Sequence, residues 1–131
     1  MQHLRRDDGL LMIEIFVFGS NLAGRHGKGA ALHARLKHGA RYGQGEGLQG
    51  ASYAIPTKGF SLETLPLSII RDKVAAFVDF ARLHPEMVFQ VTPIGCGLAG
   101  YAAADIALMF RDAPGNCRLP LAFEEIINCG S

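Results

Sequence analysis

The chain carries almost no excess charge: 13 Lys and Arg against 12 Asp and Glu leave +1 over 131 residues. A domain built to track a nucleic-acid backbone is normally strongly basic, so the balance argues against direct nucleic-acid binding. A local phosphate site remains open, because backbone N–H groups bind phosphate without any net charge. Cysteine is scarce and odd in number (Cys96, Cys117 and Cys129). The spacings match no metal-ligand pattern, so no metal and no cofactor are expected, and a reducing, cytoplasmic setting fits best. No apolar run reaches the ~18 residues of a membrane span. The start, MQHLRRDDGLLMIEIFVF, has no small-residue cleavage site after its apolar stretch, which therefore reads as a first strand rather than a signal sequence. Repeats, linkers and low-complexity tracts are absent. The expectation is one domain over 1–131, with the polar residues 1–10 loosely ordered.

What is present is an apolar fraction of 49%, enough for a core. Ile13 to Phe18 is almost wholly apolar and reads as a buried strand of a parallel sheet. Gly29 to His38 reads as a helix stopped by Gly39. A glycine-rich loop, GARYGQGEGLQG, leads to a short strand over Ser52 to Pro56. From Leu67 to about His84, Ile70, Val74, Phe77, Val78 and Ala81 recur at helical spacing, and Pro85 closes that helix. Val88 to Thr92 is a third strand, Ala102 to Asp112 a third helix, and Leu119 to Phe123 a last short strand with Pro120 at its start. The adjacent acids of FEEII read as a solvated face. Alternation of this kind predicts an α/β domain with a mainly parallel sheet and helices on both faces, a three-layer α/β/α arrangement.

Two stretches concentrate glycine where an α/β sheet binds ligands, beyond the carboxyl ends of strands. FGSNLAGRHGKGAA (Phe18 to Ala31) follows the first strand, and TPIGCGLAGY (Thr92 to Tyr101) follows the third. Each leads into an expected helix, whose N-terminus offers unpaired N–H groups and partial positive charge. Two such loops on one crevice would suit a diphosphate; the plainer alternative is a pair of tight turns. Neither is a Walker A sequence, and the Gly43, Gly45, Gly47 run is not the dinucleotide fingerprint, since it precedes a strand.

IGCGLAGY (Ile94 to Tyr101) resembles the second phosphate-binding loop of macrodomains, the ADP-ribose-binding modules, and is most similar to the branch of terminal ADP-ribose protein glycohydrolases. FGSN with GRHGKGAALHARL resembles the family's first loop and helix, and SYAIPTKG its next strand, which ends in a Thr-Lys pair. Phage- and prophage-type hypothetical proteins that resemble macrodomains share these motifs. The resemblance covers roughly Phe18 to Phe110.

It implies a macrodomain-like fold and binding of ADP-ribose, a related nucleotide diphosphate sugar or an ADP-ribosylated macromolecule, with hydrolysis of an ADP-ribosyl bond as a further activity. It implies that Gly19 and Asn21 lie at the first loop, with Asn21 on the distal ribose. Gly27, Gly29 and Ala30 would pack against diphosphate and ribose. The backbone of Ile94, Gly95, Cys96, Gly97, Leu98, Ala99 and Gly100 would hold the phosphates, and Tyr101 would cover the ribose. Lys58 matches the nucleophilic lysine of the glycohydrolase branch. Ala99 stands where that branch has the acid completing the chemistry, which leaves a non-catalytic reader or a phage-related interaction domain as alternatives. For the acid that reads adenine, the candidates are Asp7 and Asp8.

The residues themselves leave other roles open. Arg25 could clamp a phosphate bidentately, with Lys28 as a further basic contact. His26 reads as a phosphate contact or general acid, or as an exposed loop histidine. Glu46 could serve as a general acid or base near an anomeric carbon. Cys96, between two glycines, reads better as a small buried residue than as a nucleophile.

Overall fold

The computed structural model describes residues 3–5 and 11–129. Asp7 and Asp8, and most of the stretch expected to be loosely ordered, lie outside the described residues. Within that stretch His3–Arg5 forms a strand, β1, antiparallel to the start of β2 (Leu11–Asn21). Next come α1 (Gly29–Lys37), β3 (Gly47–Gln49), β4 (Ser52–Lys58), α2 (Leu67–Arg82), β5 (Met87–Val91), α3 (Ala103–Ile106), a 3-10 turn (Ala107–Phe110), β6 (Cys117–Arg118) and α4 (Leu121–Cys129). The sheet runs β3-β4-β2-β5-β6, parallel except where β3 and β1 join it. The chain is thus an α/β domain on a mixed, largely parallel sheet.

Alternation along β2 assigns the two faces. Ile15 and Val17 are fully buried with Tyr53 and Ile55 of β4 against α2, the 3-10 turn and α4. Phe18 and Ala54 point the other way, onto Ala31 and Ala34 of α1. The apolar stripe Ile70, Val74, Phe77, Val78 and Ala81 of α2 is buried as its spacing requires. Its central ring, Phe77, meets Tyr53, Phe89 and Phe110 edge-on at 5.0 to 6.3 Å between centroids.

Three expectations fail. GLQ, within the expected loop, is strand β3, which pairs with β4. The third helix is one turn of α-helix followed by a 3-10 turn. The last expected strand is helical: Leu121–Cys129 is α4. There Phe123, Ile126 and Ile127 have helical, not alternating, spacing, and the Pro120 carbonyl accepts from the Phe123 and Glu124 amides. Glu124 and Glu125 are exposed, as the reading of FEEII required. No described helix is long and apolar enough to cross a membrane.

Candidate functional site

The connections around β2 create the site. From β2 the chain crosses through α1 on one face to reach β4. From β4 it crosses through α2 on the other face to reach β5, on the opposite side of β2. The chain therefore reverses direction across the sheet at β2, and at such a switch point the loops leaving adjacent parallel strands splay apart and open a crevice. The loops after β2, β4 and β5 all leave from one edge. They stay in touch: Thr92 donates from both its amide and its Oγ1 to the Val17 carbonyl, at 3.1 and 2.8 Å. Thr64 Oγ1 donates to the Ala99 carbonyl at 3.2 Å.

Between these loops lies a cavity of about 720 Å³, lined by both glycine-rich stretches. Of the residues singled out from sequence, Gly19, Asn21, Arg25, Gly27, Gly29, Ala30, Lys58, Gly95, Cys96, Gly97, Leu98 and Ala99 line it. A Cβ placed on Gly19 would sit 3.6 Å from the Gly95 amide nitrogen, and one on Gly29 would sit 3.9 Å from a Leu98 methyl. The two loops thus face one another across one opening.

Both walls present amides. Lys28, the N-cap of α1, makes no side-chain cap, so the first-turn N–H groups of Gly29, Ala30 and Ala31 have no partner among the described residues. In the second loop Cys96, Gly100 and Tyr101 donate to Pro93, Gly97 and Gly95 carbonyls. The amides of Gly95, Gly97, Leu98 and Ala99 have no acceptor among the described residues. Because α3 is a single turn, this second wall depends on the turn's own N–H groups and not on a helix dipole.

Side-chain charge adds to this. Arg25, Lys28 and Lys58 line the cavity, none of them is ion-paired among the described residues, and no Asp or Glu is in the lining. A chain of net charge +1 has gathered three cations around one opening, where the low-dielectric walls focus their field. The first loop is set by Asn21, whose Nδ2 donates to the Arg25 carbonyl at 2.9 Å while its Oδ1 accepts from the Arg25 amide at 2.8 Å. This clamp closes the Asn21–Arg25 turn and brings Arg25 to the opening. Cys96 is a thiol rather than a thiolate: burial and the Asp105 carboxylate push its pKa up.

Five of the selected residues do not line the cavity. His26 is not an exposed histidine; it is fully buried beneath the first loop, edge-on to Phe18, and does not line the cavity. Its Nε2 lies 2.9 Å from the Gln44 carbonyl and 3.1 Å from Gln49 Oε1. Glu46 pairs with Lys73 of α2 at 3.0 Å, on the sheet face away from α1. Burial, and then the nearby Glu46 charge, push the Tyr53 phenol up to about 12. Ile94 is core. Gly100 closes the Gly97 turn, and Tyr101 donates its hydroxyl to the Leu65 carbonyl at 2.7 Å, tying the second loop to the start of α2.

Sequence reading missed Ser20, Thr57, Thr92, Pro93, Leu62 and Ala31 in the lining. The first three end parallel strands beside the loops, a position that the sheet order alone reveals. Leu62 had no sequence signal; it is the one described non-glycine residue with positive φ, 66°. No protein-family model matches the chain, and neither a curated protein nor a solved structure matches it.

Proposed function

We propose that the protein binds an ADP-ribose-like nucleotide diphosphate sugar, free or attached to a macromolecule, in the cavity above β2, within a macrodomain-like three-layer fold. One observation carries the reading: two walls of amides and three cations, all without partners among the described residues, meet at one opening with no carboxylate in its lining. The amides suit the diphosphate, and the cations balance its charge. The cavity volume is of the size that takes a drug-sized or nucleotide-sized ligand.

The same lining favours a reader over a hydrolase. Hydrolysis of a glycosidic bond uses a carboxylate near the anomeric carbon. Glu46 is turned to Lys73, and Ala99 carries no acid. Lys58 lines the cavity with its ammonium free of ion-pair partners among the described residues, and catalysis with Lys58 as nucleophile is the second reading on that account.

Calorimetric titration with ADP-ribose tests the proposal. Binding with Kd of ~1 to 100 μM is expected, weakening as salt rises. Lys58→Ala and Arg25→Ala should each weaken binding about 10- to 150-fold, the loss of one charged hydrogen bond. A reader releases no ADP-ribose from a modified protein in either form, whereas turnover by wild type and its loss in Lys58→Ala would favour the second reading. No heat and no thermal shift at millimolar ADP-ribose would end the proposal.

A further inference from the structure

Away from the cavity, on the α1 face of the sheet, two imidazoles meet. His33 lies on α1 and His38 is its C-cap residue. Their Nε2 atoms are 3.3 Å apart. Five residues apart on a continuous helix, the two rings would point about 140° away from each other. They meet because the helix stops: His38 leaves helical geometry at φ −130°, with its amide on the Ala34 carbonyl at 2.8 Å and its own carbonyl accepting from Ala51 at 2.9 Å. No motif scan would pair them, since histidines that share a helix face are three or four apart.

One ring holds both. The His38 imidazole stacks on Phe16 at 4.4 Å and 8° between planes, and His33 meets the same ring edge-on at 5.2 Å. Without metal the two nitrogens share a hydrogen bond; two nitrogens bound to one tetrahedral zinc at ~2.0–2.1 Å stand about 3.3–3.4 Å apart, so replacing that proton by a metal needs no change in their separation. The partly buried His38 is held below its usual pKa by desolvation first and by His33 second, with Glu14 opposing. Arg35 and Lys37 are also on this helix. Arg35 is drawn aside over the Tyr42 ring, 5.6 Å from its centroid.

We infer that His33 and His38 form a two-imidazole site for a divalent transition metal of the zinc class, with the remaining coordination positions open to water. Imidazole is a preferred ligand of zinc, nickel and copper, and the site has no hard oxygen set that would favour magnesium or calcium. Among the described residues no group of three or more His, Cys, Asp or Glu could hold a metal, so the site is an open one.

The test uses Zn²⁺ alone on the whole chain. Long-range ¹H–¹⁵N spectra of the imidazoles should show the Nε2 signals of His33 and His38 moving together along one saturation curve. Calorimetry on His33→Gln, and on His38→Phe, which keeps the ring on Phe16, should show affinity reduced at least tenfold. If neither or only one imidazole responds, or if both variants bind Zn²⁺ as tightly as wild type (as a cysteine site would), the inference is overturned.

Discussion

Gly97→Val is expected to weaken ADP-ribose binding by a factor of roughly 100 or more while leaving the melting temperature within a degree or two of wild type. Gly97 has no positive φ, and a Cβ placed on it would meet nothing within 4 Å. Neither backbone conformation nor packing requires glycine there. The same holds for Gly27 on the opposite loop. Both line the cavity, and the Gly97 amide has no acceptor among the described residues. A side chain would therefore stand where an anion's oxygens approach that amide. Displacing the ligand from two or three such contacts, each worth ~1.5–3 kcal/mol to a charged group, costs on the order of two decades or more in affinity. Gly27→Ala and Gly97→Ala should show the same sign more gently, with stability gains of ~0.4–1 kcal/mol, because the unfolded chain loses freedom. Opposite movement of binding and stability is the signature. If the glycines serve only as turns, affinity will not change.

How much of this was legible in the sequence follows from the range of the interactions involved. Strands β2, β4 and β5 and helices α1 and α2 are specified by local periodicity and apolar composition, and the sequence reading found all five within a few residues. The positions of the two glycine loops at strand ends were equally readable, and so was their convergence once β2 was read as an early strand of a parallel sheet. Most of what failed depended on contacts distant in sequence. β3 has only three residues, and its pairing with β4 makes it a strand. α4 was hidden by Pro120, which breaks a strand but equally well precedes a helix. His26 was misjudged because burial of a loop side chain depends on Gln44 and Gln49, 18 and 23 residues away. Glu46 does not line the cavity and is turned to a lysine of α2, 27 residues on. In each case the residue type was informative about chemistry and uninformative about direction.

A large stability effect is expected at Gly45, through contact and not conformation. Its φ is not positive, so alanine could adopt the backbone. A Cβ there, however, would lie 2.3 Å from the Asn21 carbonyl oxygen and 2.7 Å from that of Leu22. These are backbone atoms held at the end of β2, not the ends of flexible side chains. The Gly43–Gly45 stretch lies directly on the first loop: the Gly43 amide donates to the Gly24 carbonyl at 2.8 Å, and Ser20 Oγ donates to the Gly45 carbonyl. Gly45→Ala must therefore push two chain segments apart, against the cost of overpacking, ~1–3 kcal/mol, and of loosening those hydrogen bonds at ~1 kcal/mol each. A total of about 2–4 kcal/mol corresponds to a fall in Tm of roughly 8–20 °C for a chain of this size. Urea unfolding should show the loss as a lower midpoint with an unchanged slope. Because the displaced segment supports the Asn21 clamp and hence Arg25, any Gly45→Ala protein that remains folded should also bind ADP-ribose more weakly. Gly27→Ala, in the first loop but facing open space, should lose affinity without losing stability. Equal stability of Gly45→Ala and wild type would mean that these backbones do not interlock, and the first wall of the cavity would lose its support.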